Sequence, residues 1–399
     1  MMLRVGFLKI GGAHWTGGIN YLVNVLSALH EANAPRVRPL FFASPDDGAF
    51  IERVSPFLHE PPILSDLWSS QTPLARRRQI RSIVLQRDKR AETAFRDAGV
   101  DVVFHHCSDF FGARFGLPTL SWVADYQHRR LPQHFSRLNY WKRDLGYSAL
   151  ARWSTVLVVS SEDARNDAER FYPVCRGKVE VLRFVARLKG GLPLEELPGV
   201  RDRYGLPDRF FYMPNQFWKQ KNHLGVLAAL RRALRIRPDI VVAASGNLHD
   251  TRDRNFPREV VERVKGEKME DAFRILGMIP FDDILPLMRL SVGVINPSFF
   301  EGWSTPVEEA KSVGAPLLLS SIPVHREQAD GFARFFDPAD VESMADALLR
   351  AWDDWPAGPR PEAERDAAAR LTARRAAFAE RFCDLAELAH ARFRAGGRG

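Results

Sequence analysis

Short apolar runs alternate with helix-patterned stretches along most of this chain. Residues 3–10 (LRVGFLKI) read as a buried strand and Gly11 to Gly18 as a loop. The next segment places Ile19, Leu22, Val23, Leu26 and Leu29 on one helical face. Residues 37–44, 101–106, 118–124 and 155–161 are further apolar runs, each ended by polar or turn residues. This alternation predicts a parallel sheet with helices on both faces. Residues 186–208 break the pattern. They are rich in glycine, proline and charge, and read as an interdomain linker. The alternation then resumes, with strands at 209–214, 239–246, 273–279, 291–298 and 315–321. After the first of these, Asn222 is placed to cap a helix carrying Leu224, Leu227, Leu230 and Leu234. The Ala/Arg/Glu-rich tail from about 361 to 395 reads as helix.

A chain of 399 residues is too long for one compact α/β core and suits two domains. We expect them at 1–190 and 191–377. Ligands of open parallel sheets bind outside the carboxyl ends of the strands, so chemistry is sought in the loops that follow them.

Composition narrows the class. Apolar residues make up 45% and charged residues 27%, as in ordinary folded proteins. Cys107, Cys175 and Cys383 are far apart, which argues against a disulfide framework or a zinc site and for a reducing cytoplasm. There is no apolar run of membrane-spanning length, and the N-terminus reads as a strand and a glycine-rich turn rather than a signal peptide. The net charge of +8 is uneven. Residues 1–190 hold 27 Lys and Arg against 18 Asp and Glu, a net of +9; the rest hold 30 against 31, a net of −1. Solvated basic helix faces account for this equally as well as attraction to an anionic acceptor or to anionic lipid, a peripheral membrane contact of the first domain. No nucleic-acid motif accompanies the charge, so nucleic acid is not an expected partner.

Four loops carry candidate chemistry. The strongest is 298–316 (SFFEGWSTPVEEAKSVGAP), between a strand and a helix. Thr305 fits the N-cap and Pro306 the first helical position, and Thr305 with Glu308 has capping-box spacing. Glu301 and Glu309, eight positions apart, can both reach a ligand at the strand end. Carboxylates accept hydrogen bonds from neighbouring sugar hydroxyls, and the amides near Trp303 to Thr305 suit an anion. Acidic residues decorating a helix start are the plain alternative. The second loop is 214–223 (PNQFWKQKNH), where Lys219 and Lys221 precede a helix and suit a diphosphate. A solvated basic turn is its alternative. The third is 11–21 (GGAHWTGGINY), whose glycines do not fit the dinucleotide fingerprint. The fourth is 121–135 (SWVADYQHRRLPQHF), where Asp125 and His128 read either as sugar or acceptor contacts or as loop polarity.

The segment Glu301-Gly302-Trp303, Pro306 and Glu309 closely resembles the donor-binding motif of the family-4 retaining glycosyltransferases. The resemblance covers most of the chain, tightest over about 209–330. It implies a GT-B fold: α/β, two Rossmann-like domains with parallel sheets facing a central cleft, and a last helix, about 378–396, packing back on the first domain. The implied reaction moves a sugar from a nucleoside-diphosphate sugar to a glycan or lipid-linked acceptor with retention, needing no cofactor and no metal. The resemblance places the transferred sugar at Glu301 and the ribose at Glu309, with the amides of Gly302, Trp303, Ser304 and Thr305 between them. Ser304-Thr305 replace the family's usual Gly-Leu. Lys221 matches the family's clamp lysine, while Gln216 stands where arginine is usual, with Lys219 and Asn215 beside it. Gly17 and Gly18 are matched to its N-terminal phosphate loop, and Gly246 and Asn247 to neighbours of the base. Ala124-Asp125 stands where many relatives have a histidine–aspartate pair, so Asp125 and His128 are the candidates left there. An epimerase or phosphorylase of the same fold, and a silent nucleotide-sugar binder, are the alternatives. Only a transferase needs a separate acceptor.

Overall fold

The computed structural model describes residues 2–11, 16–33, 36–69, 72–107, 109–187, 193–250, 252–329 and 331–396, with backbone alone for Thr16 and residues 73–76. His14 and Trp15, in the glycine-rich loop, lie outside the described residues. The chain divides into two compact units. The first comprises Met1–Pro132, Arg137–Val185 and Ala373–Gly399; the second comprises Gln133–Ser136 and Ala186–Thr372.

The first unit holds a seven-stranded parallel sheet. Its strands are β1 (Leu3–Leu8), β2 (Val37–Ala43), β3 (Ile63–Leu64), β4 (Val102–His106), β5 (Thr119–Val123), β6 (Val156–Val159) and β7 (Val179–Val181), in spatial order β3-β2-β1-β4-β5-β6-β7. The central strands read as continuous apolar runs because helices cover both faces of the sheet. The last helix, Pro361–Ala395, contributes its residues from 373 onward to this unit. There Phe382 stacks on Phe7 with ring centres 5.5 Å apart, and Arg36 pairs with Glu380, Asp384 and Glu387 at 2.7–2.8 Å. The first long helix spans Thr16–Glu31, so Gly17 and Gly18 occupy its first turn rather than the loop expected there.

The second unit holds a six-stranded parallel sheet of β8 (Phe211–Pro214), β9 (Val242–Ser245), β10 (Phe273–Gly277), β11 (Gly293–Asn296), β12 (Leu317–Ser320) and β13 (Ala333–Phe336). Its order is β10-β9-β8-β11-β12-β13. The first strand of the unit therefore lies beside the fourth, and the winding reverses between them. Outside the carboxyl ends of such a pair lies the ligand crevice of doubly wound sheets. The expected linker is shorter than 186–208. Residues Leu197–Arg203 form a helix, and Leu197, Val200 and Leu206 are buried against Phe210 and Tyr212. Their apolar spacing is too brief to show against the surrounding charge. Among the described residues no helix is long and apolar enough to cross a membrane.

Candidate functional site

Both of the strongest candidate loops leave the switch point of the second unit. The loop after β8 runs through Asn215–Trp218 into a 3-10 turn, Lys219–Lys221, and the helix His223–Ala233. The loop after β11 runs to the helix Thr305–Ser312. Two backbones that emerge from neighbouring strands meet again: Phe299 N donates to Gln220 O at 2.9 Å. Asn215 and Asn296, at the two strand ends, lie 3.5 Å apart, Nδ2 to Oδ1.

The centre of the site is an ion pair. Lys221 Nζ donates to Glu301 Oε1 at 2.5 Å, and both side chains are about nine-tenths buried, at 11% and 10% exposed. Asn296 Nδ2 adds a donor at 3.4 Å. Ser298 Oγ lies 2.7 Å from Glu301 Oε1 and 2.7 Å from Asn296 Oδ1, and its one proton serves either. Burial pushes the Glu301 carboxyl upward, but the charges of Lys221 and His325 and the hydrogen bonds of Lys221 and Ser298 outweigh it. Glu301 is thus held below the usual carboxylate range and stays an acceptor.

Glu309 is the opposite case. It is buried, and among the described residues no group donates to its carboxylate. Burial alone pushes its pKa up to about 8. A carboxyl without partners at a ligand crevice is prepared for hydroxyl or cationic groups brought by a ligand.

Helix starts in this loop one residue earlier than expected. Ser304, not Thr305, is the N-cap, and its Oγ accepts from Val307 N at 3.4 Å and from Asn296 Nδ2 at 2.7 Å. Pro306 consequently sits at the second helical position, where a missing N–H is still harmless. Glu308 is not a capping-box residue. It is fully buried and accepts from Gln328 Nε2 at 3.0 Å and Lys311 Nζ at 3.2 Å. Of the amides expected to face an anion, that of Ser304 is already used: it donates to Gln328 Oε1 at 3.2 Å. Gln328 Nε2 returns a bond to Ser304 O at 2.8 Å. This two-way amide clamp fixes the loop that presents Glu301 to Trp303. Gln328→Leu leaves the buried Ser304 N–H without a partner and removes one of the two donors to Ser304 O and to Glu308. We expect a loss of about 2 kcal/mol, read as a lower urea midpoint with unchanged slope.

Other candidates are engaged as follows. Gln216 Oε1 accepts from Asn247 N at 2.8 Å, and Phe217 N donates to Asn247 O at 3.2 Å. Gln216 therefore ties down the 246–249 loop instead of presenting a charge. Gly246 has φ 154°, and a Cβ there would stand 2.3 Å from Asn215 O, so only glycine lets β8 and β9 end this close. Asn222 occupies the N-cap position of its helix at φ 55°, but its side chain does not cap; Nδ2 donates to Pro338 O at 2.9 Å. Lys219 is exposed. A cation the sequence did not flag stands nearby: the Arg252 guanidinium lies 4.5 Å over the Trp218 ring and pairs with Asp250 at 3.1 Å.

In the first unit, Asp125 is half-buried and accepts from Gln127 N at 2.9 Å, closing a turn. His128 is no surface ligand. It is fully buried, with Nε2 3.2 Å from Tyr172 Oη and its ring 5.0 Å from Tyr147. The short helix Gln127–Arg130 turns the ring into the core, and burial lowers its pKa. Ser161 likewise caps the helix Glu162–Phe171, and Ser160 accepts from Trp122 Nε1 at 3.1 Å.

The sequence and the fold have parallels in known proteins. Residues 201–370, most of the second unit, match the family described as glycosyl transferases group 1. O-antigen chain mannosyltransferase B of Escherichia coli is 31% identical over 85 residues, 21% of this chain and 22% of that protein. The UDP-Gal:alpha-D-GlcNAc-diphosphoundecaprenol alpha-1,3-galactosyltransferase of Escherichia coli is 26% identical over 184 residues, 44% of each chain. The chain thus spans less than half the length of these curated relatives. Among solved structures, a glycosyltransferase of Rickettsia africae superposes with TM-score 0.65 at 14% identity, over 97% of this chain and 98% of that one. Anabaena Alr3699/HepE, solved with UDP and glucose, superposes with TM-score 0.64 at 13% identity, over 96% and 99%. The two parallel-sheet, Rossmann-like units have the GT-B glycosyltransferase fold.

Proposed function

We propose that this protein is a retaining glycosyltransferase that moves a hexosyl group from a nucleoside-diphosphate sugar to an acceptor hydroxyl. The second unit binds the donor and the first serves a glycan or lipid-linked acceptor, at the cytoplasmic side of polysaccharide or glycoconjugate assembly. The observation that carries this reading is the buried pair Lys221–Glu301 at the switch point of the second sheet, with the buried, unpartnered Glu309 on the helix that follows the same loop. The family match over 201–370 supports it.

In this reading Glu309 accepts from the ribose hydroxyls and Glu301, kept ionised by Lys221, orients the sugar. The bond to the anomeric carbon breaks as negative charge grows on the diphosphate. Lys221 and Lys219, with the amides of Trp303 and Thr305, stabilise that charge, and preorganised donors in a water-poor site do so strongly. Arg252 supplies the further positive charge that Gln216 does not. No step calls for a metal. Gly246 and Asn247 border the base, and Ser304 and Thr305 stand where the sugar is read. Asp125 is the remaining polar candidate for the acceptor. Acceptor-dependent release of the nucleoside diphosphate tests the reaction; turnover with no acceptor, or only with inorganic phosphate, would refute it.

Donor binding should also carry a proton. Free Glu309 is largely protonated at pH 7, because its pKa is about 8. Binding hydroxyls favours the carboxylate, so a proton leaves and affinity rises with pH from 6 to 8. Calorimetry of UDP and GDP binding in buffers of different ionisation heat measures that release. Equal heats in all buffers would exclude it.

A further inference from the structure

The helix Pro73–Leu85 of the first unit is built inside out. Among its described side chains, Arg77 to Leu85, the inward ones are polar. Arg78 donates to Leu67 O at 2.5 Å and pairs with Asp88 at 3.2 Å, and Ser82 is buried. Its outward residues are apolar: Ile80, Ile83, Val84 and Leu85 are 63%, 54%, 73% and 48% exposed. Arg77 and Arg81 are exposed among them, and the helix has no acidic residue. A helix shaped only by water turns its apolar stripe inward. Four large apolar side chains held outward by a polar anchor mark a surface that meets an apolar phase.

We propose that this helix is a membrane-surface element that lies in the interface of an anionic bilayer. Ile80, Ile83, Val84 and Leu85 enter the acyl boundary, and Arg77 and Arg81 sit among the anionic headgroups. Charge selects the occupant. The net of +9 over residues 1–190 opposes a second copy of the same surface and attracts anionic lipid. A lipid-linked acceptor agrees with this placement, but the proposal rests on the helix and not on the transfer reaction. A second exposed stripe, Leu138, Trp141 and Leu145 on the helix Arg137–Trp153, provides a comparison.

The test is cosedimentation of the full chain with vesicles of phosphatidylcholine alone or mixed equally with phosphatidylglycerol. The wild type should bind the anionic vesicles and not the neutral ones. The variant Ile80→Ser/Ile83→Ser/Val84→Ser should bind at least about tenfold more weakly and melt at the same temperature, because all three side chains are exposed. Arg77→Gln/Arg81→Gln should lose about fivefold per charge. Leu138→Ser/Trp141→Ser/Leu145→Ser should keep most of the binding. The proposal is overturned if the wild type does not prefer anionic vesicles, or if the first variant binds as well as the wild type. It is also overturned if only the comparison variant loses binding, or if light scattering shows a wild-type dimer that the first variant converts to monomers. Vesicle binding reads no turnover, so the proposal and the transferase reading fail independently.

Discussion

Lys221→Ala should remove both stability and turnover, and the two losses should be separable. In the folded protein Lys221 is the cation that keeps Glu301 ionised in a buried site. Its removal strands a buried carboxylate, a change that costs about 3–5 kcal/mol unless the group takes up a proton. The same ammonium, in the transferase reading, faces the leaving diphosphate. Loss of one such preorganised donor lowers turnover about 10²–10³-fold. The double variant Lys221→Ala/Glu301→Gln removes the stranded charge. It should recover most of the stability in urea unfolding and none of the turnover. If the double variant recovered both, Lys221 would be a structural partner of Glu301 and nothing more.

Glu309→Gln should have opposite effects on stability and on binding. The folded-state pKa of Glu309 is about 8, above the ordinary carboxyl value of 4.5. An acid whose pKa is raised on folding binds more protons in the native state. Its full stabilisation is present below about 4.5 and is lost as pH rises through 8. Glutamine has no charge to bury, so the ligand-free variant should be more stable than the wild type at pH 8–9. The gap between about 8 and 4.5 corresponds to about 5 kcal/mol at the upper limit, a rise of about 10 °C or more in Tm. Near pH 4.5 the difference should vanish. Donor affinity should fall at least about tenfold, because a neutral amide accepts more weakly from hydroxyls than a carboxylate. A pH-independent difference in Tm would show that Glu309 is not buried in charged form. Such a trade of stability for function is expected where a site keeps a group unsatisfied until its ligand arrives.

The site was legible where chemistry follows an apolar run. Lys219 and Lys221 come directly after β8, and Glu301 and Glu309 after β11, so strand pattern and residue type pointed to the same loops. The sheet order then put those loops side by side, which no local pattern states. Gln328 was not legible as a clamp, because it meets Ser304 from 24 residues away through a side-chain amide. The one-residue shift of the cap has a simple cause: Ser304 and Thr305 both have capping side chains, and Pro306 is tolerated at either of the next two positions. His128 misled because a histidine after a strand looks like a ligand until Tyr147 and Tyr172 close around it. The strands that escaped the pattern, β3, β7 and β13, are two to four residues long and lie at sheet edges. An edge strand pairs on one side only and needs no long apolar run. The helix Pro73–Leu85 is a different failure. Its apolar residues were present in the sequence, but which face they take is decided by Arg78 and Ser82.

In the transferase reading, the switch point of the second unit holds a nucleoside-diphosphate sugar through Lys221 and Glu309. Calorimetric titration at pH 8 with UDP- and GDP-linked glucose, galactose and mannose tests it most directly, comparing the wild type with Lys221→Ala and Glu309→Ala. At least one of these donors should bind the wild type and bind each variant at least about tenfold more weakly. Binding of the same strength in both variants, or no binding to the wild type by any of the six, would contradict it.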